Sequence, residues 1–201
     1  MVSARKMYER LGFELDIELP SNFEIRYWRY VLKLDALEAE KVDMKIRIAE
    51  REDIDTLFEI RTSVVENHQS REEIAELGIT PDSVAKMLEK DCRAWLAEID
   101  DSAKQTLCER PIGFSIANAT EKTIFGIFIL PSFECRGAGR ALMQAAENWL
   151  WSKGMNEIWL VTGNDPSLRA YGFYLYLDWI PAGIEPDGDF SGQMKFIKRC
   201  E

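Results

Sequence analysis

The chain has a single histidine, His68, among its 201 residues. Its four cysteines, Cys92, Cys108, Cys135 and Cys200, form no C-x-x-C pair. No zinc-type ligand spacing is available, so no metal centre is expected. No apolar segment reaches the ~18 residues a membrane-spanning helix needs. The opening residues, MVSARKMYER, lack the apolar stretch of a secretory leader. Positive charge is scarce: 25 Lys and Arg face 35 Asp and Glu, a net charge of −10. That balance disfavours non-specific nucleic-acid binding. These absences fit a cytoplasmic protein with reduced thiols and neither a membrane nor a nucleic acid as partner. An acidic surface attracts cationic amines, and it equally serves plain solubility.

What is present can fold. The chain is 46% hydrophobic, enough for a substantial core, and its length suits one large domain or a domain with an addition. Met44 to Ala49 alternates and reads as a strand. Glu50 to Asp53 opens a helix carrying Ile54, Leu57, Phe58, Ile60, Arg61 and Val64. Arg71 to Leu77 is a helical turn or two, stopped by Gly78. Thr80-Pro81-Asp82 starts another helix, with an N-cap Thr and Pro at the first helical position. Residues 94–99 and 111–118 read as strands joined by a polar hairpin loop over 100–110. A further strand spans 124–130. The predicted order from residue 44 is β-α-α-β-β-β-α-β-α-β-β. This is an α/β fold with a mixed sheet.

The segment after strand 124–130 carries the chemistry. Pro131-Ser132 leads into FECRGAGRALM, residues 133–143. Ala138, Ala141, Leu142, Ala145, Ala146, Trp149 and Leu150 then recur at helical spacing. This is strand, glycine-containing loop, helix. A helix N-terminus offers unpaired N–H groups and the positive end of a dipole, and glycines let an anion approach closely. The spacing is neither G-x-x-x-x-G-K-[S/T] nor the Rossmann G-x-G-x-x-G.

The loop resembles motif A of the GNAT superfamily of N-acetyltransferases, whose strand runs into Q/R-x-x-G-x-G/A. Gly137 and Gly139 fall on its two glycine positions. Glu134 takes the leading Q/R position, a departure; facing a pyrophosphate it would repel, so it is expected to point to solvent. Cys135 stands where many members have another glycine. A second match, Ala170 to Trp179, resembles A-x-x-F/L-Y-x-x-x-G-F, with Asp178 at the glycine position and Trp179 at the phenylalanine. Ser167 takes the place of an asparagine often found three residues before the alanine. The resemblance covers residues 44 to about 200 and implies a GNAT-like mixed central sheet flanked by helices. It implies acetyl-CoA as co-substrate, a primary amine as acceptor, whether a small molecule or a peptide, and direct attack of the amine on the thioester.

The same resemblance implies roles. N–H groups from Arg136 through Gly137, Ala138, Gly139 and Arg140 to Ala141 would hold the pyrophosphate. Backbone of Phe128, Ile129 and Leu130 would bind the pantetheine arm and polarise the carbonyl. Tyr174 would protonate the departing thiolate; its other reading is an aromatic core residue. The segment Val65 to Arg71 would cover the acceptor, making His68 or Glu66 a candidate base, unless His68 is simply solvated. Strand 124–130 carries no acid, so Glu121, a water chain or an amine arriving neutral are the other options. Glu134, Asp178 and Ser167 also leave open a non-catalytic acyl-CoA sensor or interaction module.

The front of the chain repeats the back. Ala4 to Phe13 resembles the second motif, at an offset of 166 positions from Ala170 to Trp179, so that Tyr8 pairs with Tyr174. Residues 23–34 read as a long strand with neither face cleanly polar. Residues 1–34 thus resemble a truncated C-terminal piece of the same fold, a helix and two strands, followed by a linker over 35–43 and the main domain over 44–201. So small a fragment cannot bury its own apolar faces. It is expected to pack on the main domain or across a homodimer.

Overall fold

The computed structural model describes residues 14–22, 25–31, 44–100 and 109–200. The expected helix over 4–13, the linker over 35–43 and most of the loop over 100–110 lie outside the described residues. The chain divides into two compact units, Met1–Lys41 and Val42–Glu201.

In the second unit, the strands are β3 (Met44–Ile48), β4 (Cys92–Asp100), β5 (Glu109–Asn118), β6 (Thr123–Ile129), β7 (Glu157–Thr162), β8 (Ile180–Ile184) and β9 (Met194–Arg199). They form one sheet in the order β3-β4-β5-β6-β7-β9-β8. The helices are α1 (Ile54–Ser63), α2 (Arg71–Glu76), α3 (Pro81–Leu88), α4 (Ala138–Ser152) and α5 (Arg169–Tyr176). Arg71 to Leu77 is therefore a helix in its own right, one more than the predicted order holds. Ser70 and Glu73 cap it reciprocally, and Thr80 accepts from the Ser83 N–H at the start of α3.

The sheet is covered on both faces. Leu142, Met143, Ala146 and Leu150 of α4 pack with Ile112, Ile124, Ile158, Leu160 and Phe196 on one face. Leu57 and Ile60 of α1 pack with Leu96 and Phe114 on the other. Double coverage explains why β4 reads as an almost unbroken apolar run. One charged cluster is folded into the edge. Arg47 on β3 donates to both carboxylate oxygens of Glu98, 2.8 and 2.9 Å, and to Asp53, 2.6 and 2.8 Å. Glu98 is almost wholly buried, so its charge rests on that guanidinium.

The sheet has one weak seam. β3 to β6 pair antiparallel along their lengths, as do β7, β9 and β8. Parallel β6 and β7 meet at Thr123↔Trp159 alone. Past that point the C-terminal half of β6 has no strand on its second side among the described residues. β6 also bulges, because Ile116↔Gly126 is followed by Ala117↔Ile124 and leaves Phe125 unpaired.

In the first unit, β1 (Glu14–Asn22) and β2 (Ile25–Val31) form an antiparallel hairpin. Two strands are found, as expected of this segment, and the second spans 25–31 within the expected 23–34. The hairpin's pairs Glu14↔Val31, Leu15↔Tyr30, Ile17↔Arg29 and Glu18↔Trp28 have counterparts in β8 and β9. Shifted by 166 positions, they become Ile180↔Ile197, Pro181↔Phe196, Gly183↔Lys195 and Ile184↔Met194, the pairs observed there. The register irregularity also recurs, between Leu15 and Ile17 as between Pro181 and Gly183.

Candidate functional site

The seam between β6 and β7 opens onto the start of α4. Gly137 is the N-cap, at φ 87°, a left-handed conformation that favours glycine, and no side chain caps the helix. The first helical bond there runs from the Ala141 N–H to the Gly137 carbonyl, 3.1 Å. The Ala141 donor is thus consumed, a correction to the expected anion-binding set. The five N–H groups of Arg136, Gly137, Ala138, Gly139 and Arg140 find no acceptor among the described residues. Converging N–H groups at a positive helix end form an anion site.

The two glycines serve different ends. A Cβ on Gly137 would meet nothing within 4 Å, so its requirement is conformational. A Cβ on Gly139 would lie 3.2 Å from Cζ of Phe173 and 3.9 Å from Cδ1 of Ile127. Gly139 therefore lets α5 close against α4 beside the seam. Cys135 is also left-handed, at φ 59°, and so is Asp178, at φ 62°. Both occupy positions where the resemblance expects glycine, so the departures retain the backbone shape and bear its strain. Asp178 follows the C-terminus of α5, and the Trp179 N–H closes back on the Tyr174 carbonyl, 3.1 Å.

Cations surround the loop. Arg136 and Arg110 stack on the Phe133 ring, 5.3 and 5.0 Å from its centre. Arg140 is exposed on the first turn of α4. Arg110 was not found by sequence reasoning, because it enters from the start of β5, distant along the chain. Glu134 is not free in solvent as expected but half-buried and paired. Arg169, at the start of α5, donates to both its carboxylate oxygens, one bond being 2.6 Å. That guanidinium holds the Glu134 carboxyl below the usual carboxylate range.

On β6, the Leu130 N–H is donated to the Ile112 carbonyl, 2.8 Å. Two-residue alternation turns the Phe128 N–H to the same side and the Ile129 N–H toward the seam. Of the three expected pantetheine contacts, Ile129 is thus the one whose amide faces the opening.

Tyr174 is buried on α5 against Phe196 and Trp179, with ring centres 5.6 and 6.3 Å away. Its hydroxyl meets no hydrogen-bond partner among the described residues. Burial pushes the phenol up to about 12. It therefore keeps its proton through the neutral range and is a weaker acid than an exposed phenol. Trp179 needs a partner for its indole, which Glu147 on α4 supplies at 2.9 Å, itself paired with Lys198 at 2.8 Å.

The proposed bases are scattered. His68 is exposed, with Nδ1 3.2 Å from the Val64 carbonyl. Glu66 is exposed too, on the segment between α1 and α2. Glu121 sits in the turn before β6 and binds the Asn118 amide. The length of β6, ~20 Å, separates it from Leu130. Glu121 is thus at the wrong end of the strand for a base.

The Acetyltransferase (GNAT) family profile matches residues 51–177. The chain belongs to this family. Acetyl-CoA is accordingly its co-substrate and acetyl transfer its reaction class. Solved structures agree on the GNAT fold. A PaiA N-acetyltransferase from Thermoplasma acidophilum, in complex with coenzyme A, is 18% identical, with a TM-score of 0.61 over 78% of this chain and 99% of that one. The spermidine/spermine N-acetyltransferase SpeG from Vibrio cholerae is 14% identical, with a TM-score of 0.53 over 80% and 95%. The ribosomal-protein-S18-alanine N-acetyltransferase from Escherichia coli is 15% identical, with a TM-score of 0.53 over 77% and 90%. No curated protein matches the chain by sequence at a significant level. The five unaccepted amides before and in the first turn of α4 and the three arginines around them fit a diphosphate in charge and donor number. No group of metal-ligating side chains occurs among the described residues, and no helix there is long and apolar enough to cross a membrane.

Proposed function

We propose that the chain transfers the acetyl group of acetyl-CoA directly to a primary amine, with both reactants bound at the β6–β7 seam. The carrying observation is the set of five unaccepted N–H groups at the start of α4, opening onto a strand edge with Tyr174 on the adjoining helix. The thioester supplies an activated acyl group and a thiolate leaving group. Arg136 to Arg140 bind the diphosphate, and the Ile129 N–H binds the pantetheine arm. Placing the amine beside the thioester removes much of the entropic barrier. Tyr174 gives its proton to the departing sulfur and is reprotonated by the proton the acylated nitrogen loses. No carboxylate or imidazole is needed as a fixed base if the amine arrives neutral; Glu66 and His68 are the candidates on the loop beyond α1.

Release of free thiol from acetyl-CoA across a panel of amines tests this reading. Turnover dependent on the amine supports it. Coenzyme A binding without amine-dependent turnover would instead favour the acyl-CoA sensor.

The first unit supports a second proposal. Residues 14–31 are a second copy of the β8–β9 hairpin, on the strength of the shared register and shared irregularity. In the main domain β9 is paired on both sides, by β7 and β8. Its counterpart β2 has only β1 among the described residues, which leaves one edge for a further strand or a second copy of the chain.

A further inference from the structure

We infer that the amine acetylated here carries a carboxylate, and that Arg61 receives it. This rests on the amine-transfer reading above. Arg61 lies in the last turn of α1, and its guanidinium carbon is 4.7 Å from the centre of the Phe128 ring. Phe128 belongs to the open half of β6, beside Ile129. Its ring packs with Phe114 on the α1 face of the sheet, 5.1 Å between centres, while Ile127 and Ile129 join the α4 face. Arg61 thus stands beside the open half of β6, on the face of the sheet opposite α4.

The guanidinium is committed only in part. One Nη donates to the Asn67 carbonyl, 3.1 Å, and the other to the Gln69 side chain. Those bonds fold residues 64–69 over the end of α1, with Asn67 left-handed at φ 56°. No carboxylate lies within ion-pair distance among the described residues; Arg93, Arg110, Arg136 and Arg140 share that lack, while Arg47, Arg51, Arg71, Arg169 and Arg199 each have a partner. Desolvation lowers the Arg61 pKa, and no neighbouring acid offsets it. A half-buried cation without a counter-charge is costly, and a chain with 35 acids has had ample opportunity to supply one. Arginine's planar fork suits two-point binding of a carboxylate. A polyamine would bring a second positive charge to the same place.

Paired acceptors decide the matter: glycine against glycinamide, β-alanine against β-alaninamide, and spermidine, each compared by kcat/KM for thiol release referred to the concentration of neutral amine. The carboxylate member of each pair is expected to lead by at least ~10-fold. In Arg61→Gln that ratio collapses toward one, and in Arg61→Lys it is partly retained. Equal loss on both members of a pair in Arg61→Gln would make Arg61 a brace for residues 64–69 and overturn the inference. Preference for the amides or for spermidine in the unaltered protein would overturn it without any variant, so misfolding of Arg61→Gln does not shield it. No thiol release with any amine would overturn the amine-transfer reading and this inference together.

Discussion

Glu134 and Arg169 tie the loop before α4 to the first turn of α5 through two guanidinium–carboxylate hydrogen bonds. The pair neutralises an acid that stands where the family motif has Gln or Arg. Neutralisation is incomplete at a distance, because the pair is partly exposed to solvent. Glu134→Gln should therefore tighten coenzyme A binding by about threefold to tenfold at low salt, shrinking in high salt. Titration calorimetry at two ionic strengths checks this. Weaker binding in Glu134→Gln would mean that the clasp's main effect is to shape the loop.

Gly137→Ala should weaken coenzyme A binding about 5- to 30-fold while leaving the fold intact. Open space surrounds its would-be Cβ, so the cost is the left-handed backbone alone. Gly139→Val should weaken binding too, and should also lower the melting temperature, because its side chain meets Phe173. Calorimetry with thermal melts separates the two; unchanged affinity in both variants would remove the loop from the site.

Tyr174→Phe should lower kcat ~10- to 100-fold with little change in coenzyme A affinity, since a thiolate leaves more readily than most groups. The folded phenol titrates at about 12, against 10.0 when exposed. Its proton is thus held across the usual assay range, and kcat should show no alkaline fall from Tyr174 below about pH 10. The same shift favours the folded state below pH 10, and that contribution is lost as pH rises toward 12. An unchanged kcat at every pH in Tyr174→Phe would leave the residue a packing role only.

Deleting residues 1–41 should expose strand edge or apolar surface and lower the melting temperature of what remains. If the contact is between chains, the mass in light scattering should fall as well. A deletion variant of the same stability, solubility and mass would make the repeat dispensable.

The elements with strong periodicity were legible in the sequence. α4 and β7 lie where their apolar spacing puts them, and Thr80 caps α3 as its side chain predicts. The glycine-containing loop before α4 was legible because its glycines and its position after a strand are local facts. What was not legible depends on partners far along the chain. Arg169 meets Glu134 across 35 residues, and Glu147 meets Trp179 across 32. Neither meeting leaves a mark in local spacing. Arg61 read only as one more residue of an amphipathic helix, because the absence of a counter-charge appears only once the neighbours are placed. Glu121 was considered as a base on sequence proximity to β6; strand direction puts it at the far end.

The single point of pairing between β6 and β7 makes this sheet two stiff panels joined at one end. A ligand with an extended amide-bearing arm, lying along the Ile129 side of β6, would act as an interposed rung between them. Binding would then tighten the two panels together, so that amides of β6 and β7 slow their hydrogen exchange in step, although the two strands barely touch each other.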